Sequence, residues 1–489
     1  MIDCTVHPDI RNRAAIRARD RAVRIPTFAQ LTTPSRVPPA VRRRLHDVSL
    51  WAVAPANLFR ISWHNEPRTT GGHFGGVNVL EFPPSLTGVP ARIIGLAGKW
   101  FPTGAHKVGA AFGCLVPTLV TGQFDPERQK AVWPSTGNFC RGGAYDSALL
   151  GCESVAVLPE GMSRERFEWL AAIAGTVIKT PGSESNVKEI FDECQRLRRQ
   201  GDAFAIFNQF EALGNYLWHH RVTGGAMLEV LDPVLNAGAT YHGLVLATGS
   251  AGTLASGDRL KEHYPNSKIA VVEALQCPTL LLNGYGAHRI EGIGDKHVPW
   301  IHNVRATDLI IDIDDRAAIA ATRLFNEPAG RHYLASRQVP EETLAHLPLV
   351  GISGAANLLG CIKFARWYHL GPDDVILTVL TDSIDLYRSR LQEWRAAEGE
   401  LTDAGAATIH ARDILGASTD AMEELTETNR RRIHNLKYFT WVEQQGKSVE
   451  ELDAQWDDRT YWRRIAEQHI ELDALIDEFN ARSGLLDTA

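Results

Sequence analysis

The chain has 489 residues, 44% of them hydrophobic and 22% charged, with a formal net charge of -7 at pH 7. This is the composition of a folded globular protein, and the length suggests about two to four domains. A pI near 6.2 argues against nucleic acid as the main partner. The seven cysteines (Cys4, Cys114, Cys140, Cys152, Cys194, Cys277 and Cys361) are scattered without metal-ligand or redox spacing, as free thiols in a reducing compartment would be. No N-terminal apolar run resembles a signal peptide and no stretch reaches membrane-spanning length, so a cytoplasmic protein with no membrane partner is expected.

Residues 1–50 are rich in arginine, from Arg11, Arg13, Arg17, Arg19, Arg21 and Arg24 through Arg36 to Arg42, Arg43 and Arg44. Interleaved with Pro26, Pro34, Pro38 and Pro39, this stretch reads as an arm that packs across the body of the protein or a partner subunit. Gly71-Gly-His-Phe-Gly-Gly76 reads as a flexible loop without phosphate-loop spacing.

From about residue 77 to 380, short β-branched runs alternate with helical stretches. Val155–Leu158, Leu244–Ala247, Ile269–Val272 and Val375–Val379 are continuous apolar runs, as strands buried on both faces should be. Ser163 is placed to cap a helix over 164–174 whose Phe167, Leu170, Ala171 and Ala174 share a face. The alternation predicts α/β sheets covered on both sides, with ligands in the loops beyond the carboxyl ends of the strands.

Four such loops carry chemistry. In Phe101-Pro-Thr-Gly-Ala-His106-Lys107-Val-Gly, a turn opens onto a helix of small residues, with Lys107 near its start. Lost hydration there would favour the neutral, nucleophilic amine; an amphipathic helix would instead let the lysine snorkel to water. Trp133-Pro-Ser135-Thr136-Gly137-Asn138-Phe139-Cys140 places hydroxyls and an amide at a helix N-terminus, which suits a carboxylate or a plain cap. Ala247-Thr-Gly249-Ser250-Ala251-Gly252-Thr253 follows a strand and could converge backbone N–H groups on a small phosphate; it is neither a P-loop nor Gly-x-Gly-x-x-Gly. Val379-Leu-Thr-Asp382-Ser383 ends the last apolar strand, as a ligand loop or a simple turn.

Together and in this order, these residues resemble the fold-type II pyridoxal-phosphate enzymes, the superfamily of cysteine synthase, cystathionine β-synthase and the tryptophan synthase β-chain. Pro102-Thr-Gly-Ala-His-Lys107 resembles the Schiff-base lysine motif, and Pro134-Ser-Thr-Gly-Asn138 the loop that grips the substrate carboxylate. Leu158–Ser163, Asn208-Gln209-Phe210 and Gly351-Ile-Ser-Gly354 resemble further elements beside the cofactor. Gly249–Thr253 resembles the phosphate cup, and Thr381–Tyr387 is most similar to the cystathionine β-synthase form of the pyridine-nitrogen site. The likeness spans roughly residues 80–392.

The resemblance implies pyridoxal 5'-phosphate as cofactor, held by Lys107 as a Schiff base. Lys107 would also act as base on an amino acid substrate. Ser135, Thr136, Gly137 and Gln209 would bind the substrate carboxylate and Asn138 the ring oxygen. Gly249, Ser250, Ala251, Gly252 and Thr253, aided by His106, would hold the phosphate, and Ser383 would face the ring nitrogen unless Asp382 takes that place. The implied reaction is β-replacement on an activated serine-type amino acid through an aminoacrylate, joining a small nucleophile. The alternatives are β-elimination, releasing a keto acid and ammonia, and a non-catalytic scaffold. Phe139 stands where cysteine synthases generally have threonine, making the pocket bulkier, and Cys140 reads as a small buried hydrophobe.

The expected organisation is an arm (1–50), a large cofactor-binding domain (51–99 and 213–392), a small mobile substrate-binding domain (100–212) and a helical C-terminal extension (393–489), in a homodimer. In the extension, Ser448 and Glu451 form a capping-box pattern opening a helix through Trp456. Trp462, Ile465, His469, Leu472, Ile476 and Phe479 predict one amphipathic helix ended by Gly484. Arg430-Arg-Arg432 reads as a solvated helix face.

Overall fold

The computed structural model describes residues 1–67, 73–135 and 137–485. Gly71, Gly72 and Thr136 therefore lie outside the described residues, while Phe74 pairs with Asn65 in an isolated bridge. Among the described residues, eleven strands form two sheets. They are β1 (Val79–Phe82), β2 (Arg92–Ala97), β3 (Lys130–Pro134), β4 (Ser154–Pro159), β5 (Thr176–Thr180), β6 (Phe204–Ile206), β7 (Thr240–Ala247), β8 (Lys268–Ala274), β9 (Leu309–Ile313), β10 (Asp374–Leu380) and β11 (Met422–Glu424). The larger sheet has the order β1-β2-β10-β7-β8-β9-β11 and the smaller β5-β4-β3-β6. Among these eleven strands, the outer β1 and β11 pair antiparallel and the other pairs are parallel.

The apolar runs become central strands because both faces of the larger sheet are covered. Along β7 and β8, Leu244, Leu246, Ile269 and Val271 enter one hydrophobic core. Their alternate neighbours Val245, Ala270 and Val272 enter another, on the opposite face. A side-chain period of two distributes one continuous apolar run between two cores. The α/β expectation of parallel sheets clothed by helices is met, as is the helical C-terminal extension.

The arginine-rich arm packs as a helix, Pro8–Asp20, against the helices Lys107–Thr121 and His469–Arg482. Its guanidinium groups meet carbonyls left open at the end of the helix Asn138–Leu150. Arg17 Nε donates to the Leu150 carbonyl at 2.7 Å and Arg21 Nε to that of Leu149 at 2.9 Å. Cations at a helix C-terminus satisfy orphan carbonyls and oppose the helix dipole. Arg11, only 2% exposed, reaches the Leu475 carbonyl at 3.1 Å and the Glu478 carboxylate at 3.0 Å.

Several local expectations change in the structure. Ser163 does not cap the helix Arg164–Ile173 with its side chain, and the buried residues of that helix are Arg166 and Leu170, with Ala171 exposed. Arg430-Arg-Arg432 is half-buried: Arg430 Nε donates to the Thr307 carbonyl at 2.6 Å, and Arg431 stands 5.0 Å over the Trp456 ring. Those cations dock the helix Glu427–Asn435 against the segment leading into β9 and the helix Val449–Asp457. The single terminal helix is two, Tyr461–Glu467 and His469–Arg482. The break falls at Gln468, whose side chain accepts from Ile2 N at 2.9 Å and donates to Ile2 O at 2.8 Å. Ser448 does cap Val449–Asp457, accepting from Glu451 N at 3.1 Å.

Candidate active site

The carboxyl ends of both sheets face one cavity, lined by Lys107, Ser135, Asn138, Phe139, Arg166, Glu184, Gln209, Phe210, Gly249, Ser250, Gly292, Asp295 and Thr381. Gly249 and Ser250 follow β7, and Thr381 follows β10. From the smaller sheet, Ser135 follows β3, Arg166 follows β4, Glu184 follows β5, and Gln209 follows β6. Loops beyond parallel strands are where α/β folds place ligands, because N–H groups and helix N-termini collect there.

Lys107 opens the helix Lys107–Thr121. Its Nζ donates to Ser250 Oγ at 3.2 Å and to Gln209 Oε1 at 3.3 Å, so one amine joins the two sheets. Burial lowers its pKa from 10.5 to about 8, against the opposing pull of the Asp295 carboxylate. The sequence alternative of a lysine snorkelling to water is not what forms. Gln209 Nε2 in turn donates to Ser135 Oγ at 3.1 Å, and Asn215 Nδ2 to Ser250 Oγ at 3.1 Å.

At the head of the helix Asn138–Leu150, Gly137 adopts φ +149, a backbone region closed to most side chains; an added Cβ would stand 2.5 Å from Arg166 Cδ. Gly137 N donates to Ser135 Oγ at 3.2 Å. Asn138 Nδ2 donates to Asp382 Oδ2 at 2.6 Å, leaving Asn138 Oδ1 buried without a partner. Thr136, expected in this loop, lies outside the described residues. Cys140 Sγ donates to the Trp133 carbonyl at 2.9 Å, and burial raises its thiol to about 12, fitting the expected inert residue.

The glycine-rich turn after β7 has Ala251 in the left-handed region at φ +63, a geometry that aims successive N–H groups at a common point. A Cβ on Gly249 would lie 2.9 Å from the Gly292 carbonyl oxygen, and one on Gly252 would lie 2.3 Å from Asn215 Oδ1. The cradle is therefore open only to glycine at these positions. A buried amine of lowered proton affinity beside a small anion cradle and an unpartnered amide fits a phosphate-bearing aldehyde cofactor.

Not every expected residue lines the cavity. Ala251, Gly252 and Thr253 lie just beyond Gly249 and Ser250 in the same turn. His106 is fully buried behind Lys107, stacked on Trp63 at 5.5 Å and edge-on to His219 at 5.2 Å. Burial and the Lys107 charge hold its imidazole neutral, far below the usual histidine range. Ser383 is buried, and its Oγ makes only a long 3.5 Å contact with Asp385, which Lys99 holds at 2.7 Å. Asp382 is committed to the protein: its Oδ2 accepts from Tyr387 Oη at 2.7 Å as well as from Asn138. Its Oδ1 presses on Gly351, where a Cβ would stand 2.0 Å away.

Sequence reasoning missed a charged network at this wall. Arg166 forms an ion pair with Glu291 at 2.7 Å and donates to Tyr387 Oη at 2.9 Å. Through Tyr387, Asp382 and Asn138 it ties helices of the smaller sheet to loops of the larger. Only the tight Gly292-Ile-Gly294 spacing hinted at the loop that brings Glu291 and Asp295 here.

Two mostly parallel sheets whose strand ends converge on one buried lysine define the α/β architecture of the fold-type II pyridoxal-phosphate enzymes. Residues 100–382 match the family model described as pyridoxal-phosphate dependent enzyme, and the chain belongs to that family. It is a pyridoxal-phosphate-dependent enzyme of the cysteine synthase and cystathionine β-synthase superfamily. A cysteine synthase of Staphylococcus aureus is 30% identical over 289 residues, covering 59% of this chain and 84% of its own. Cystathionine beta-synthase of Saccharomyces cerevisiae is 24% identical over 381 residues, covering 75% of this chain and 71% of its own. Among solved structures, a hydrogen sulfide-producing enzyme from Fusobacterium nucleatum superposes with a TM-score of 0.54 at 24% identity, covering 68% of this chain and 92% of that one.

Proposed function

We propose that the protein catalyses β-replacement on an activated serine-type amino acid, exchanging its β-substituent for a small nucleophile. The observation that carries this reading is the placement of Lys107 Nζ between Gln209 and Ser250, at the meeting point of the carboxylate loop and the phosphate cradle. Bound pyridoxal phosphate supplies the electron sink that makes the substrate α-proton removable.

The remaining work falls to side chains of this chain. Lys107, with its lowered proton affinity, holds the cofactor and then takes the α-proton. Ser135, Thr136, Gly137 and Gln209, with the N-terminus of the Asn138 helix, fix the substrate carboxylate. Asn138 meets the ring oxygen. Gly249, Ser250, Ala251, Gly252 and Thr253 hold the phosphate, and the neutral His106 braces Lys107 from behind. Ser383 is the partner proposed for the ring nitrogen, because Asp382 is already held by two donors while the Ser383 hydroxyl is nearly free to turn. Phe139 narrows the pocket and excludes water. Residues 100–212 are the proposed mobile unit, closing on the larger unit of 51–99 and 213–392 within a cytoplasmic homodimer.

The test is turnover by the purified holoenzyme of O-acetylserine, O-phosphoserine and cysteine, with and without added nucleophile. β-Substituted amino acids should appear by mass spectrometry when a nucleophile is supplied. Rapid keto-acid and ammonia release that ignores the nucleophile would establish elimination instead.

A further inference from the structure

One wall of the cavity carries charge that the reaction above leaves unused. Asp295 lines the cavity from the loop after β8, is 8% exposed, and its Oδ2 has no hydrogen-bond partner. Its main chain is pinned, since Thr279 Oγ1 donates to the Asp295 carbonyl at 2.6 Å. Glu184, 3% exposed, lines the same cavity. The neighbouring guanidinium of Arg166 is engaged by Glu291 at 2.7 Å, with Glu184 at 3.9 Å. Lys107 hydrogen-bonds Gln209 and Ser250, and its amine is consumed in holding the cofactor. A buried carboxylate oxygen that lacks a donor is costly to keep, so it points to a ligand that brings the donor.

We propose that Asp295 forms the subsite of the incoming nucleophile, and that this nucleophile is ammonia or a primary amine rather than an anionic sulfide or thiolate. The assignment rests on the β-replacement reading. An ammonium brought beside Asp295 stabilises the ionised carboxylate in this low-dielectric cavity and its N–H groups satisfy Asp295 Oδ2, whereas a sulfide or thiolate brings a like charge and no such donors. Burial, reinforced by Glu184 and opposed by the Lys107 charge, pushes the Asp295 carboxyl well above its usual range, so once ionised beside a docked ammonium it is the stronger base for taking that ammonium's proton. Over the whole reaction, the nitrogen lone pair forms a C–N bond at the substrate β-carbon. The C–O bond there breaks, and its electron pair departs with the acyloxy leaving group as a carboxylate. The proton lost by the ammonium passes to Asp295 and then to solvent. One ammonium and one O-acylserine thus yield one diamino acid, one carboxylate and one proton.

The experiment offers the holoenzyme O-acetylserine with equal concentrations of ammonium and sulfide and quantifies 2,3-diaminopropionate, cysteine and serine by mass spectrometry. The diamino acid should dominate, and Asp295→Asn should move the product ratio toward cysteine by about tenfold or more while the visible cofactor spectrum stays. Cysteine dominating with a ratio unchanged in Asp295→Asn overturns the assignment, as does serine, the water product, as the main species. Calorimetry provides a readout independent of turnover. Asp295→Asn should weaken 2,3-diaminopropionate by about tenfold and alanine by less than about twofold; equal weakening of both overturns the proposal. If O-acetylserine is never consumed, the β-replacement reading fails, and the binding comparison still decides the subsite.

Discussion

Lys107 shows how one side chain is set by its surroundings. Burial removes water from its ammonium, and the nearby Asp295 carboxylate returns only part of that loss, leaving the pKa at about 8 instead of 10.5. Below about pH 8 the neutral fraction of such an amine rises tenfold per pH unit, and above it the fraction saturates. Covalent uptake of pyridoxal phosphate by the apo-protein, followed by visible absorbance, should therefore climb steeply from about pH 6 and flatten beyond about pH 8. A rate still climbing at about pH 10 would mark an ordinary, hydrated lysine. Lys107→Ala should abolish covalent uptake and lower turnover by about 10²- to 10⁴-fold.

At the scale of elements, the site depends on how closely two helices approach. The helix Lys107–Thr121 crosses Leu213–Trp218 where two glycines meet. A Cβ on Gly214 would stand 1.9 Å from the Gly113 carbonyl oxygen, and one on Gly109 would stand 2.1 Å from the Trp218 ring. Those contacts set the height of Lys107 relative to Gln209 and Asn215, which lie at the entrance to the second helix. Gly214→Ala should push the helices apart, costing about 1–3 kcal/mol or more in urea unfolding. It should also weaken cofactor retention on dialysis. Retained stability with lost cofactor would mean that the helices separate without unfolding, still moving the lysine.

At the scale of the molecule, the first and last segments of the chain lock together. Asn480 exchanges two hydrogen bonds with the backbone of Ile25, at 2.8 and 2.9 Å. Asp473 accepts from Phe28 N at 2.6 Å and Ala29 N at 3.2 Å, capping the arm's short second helix. Burial raises the Asp473 pKa from 3.8 to about 6 despite those donors. Between these values the folded state binds a proton that the unfolded state has lost, so this group's contribution to stability falls as pH rises from 3.8 to about 6. Asp473→Asn should flatten that part of the stability–pH curve, measured by urea melts at about pH 4 and about pH 6. A curve unchanged by the substitution would place the titration elsewhere.

Elements with a strong local signal were legible from residues alone. The apolar runs that became β4, β7, β8 and β10 needed no partner to be recognised, and neither did the Ser448 cap, because periodicity and capping are short-range properties. The stretch around Lys107 and the turns at Ser135 and Gly249, which the structure brings to one cavity, were legible too, as consecutive residues in a fixed order. What stayed hidden depended on residues distant in the chain. Arg166 turns inward because Glu291 and Tyr387 await it, 125 and 221 positions away in sequence. The terminal helix breaks where Gln468 meets Ile2, and Arg430 leaves solvent for the Thr307 carbonyl. The sequence by itself determined the α/β frame and the cofactor, and it singled out Lys107. Tertiary structure alone decided that lysine's proton affinity, the acidic wall facing it and the clasp between the chain's two ends, because burial and the pairing of charges exist only once distant segments meet.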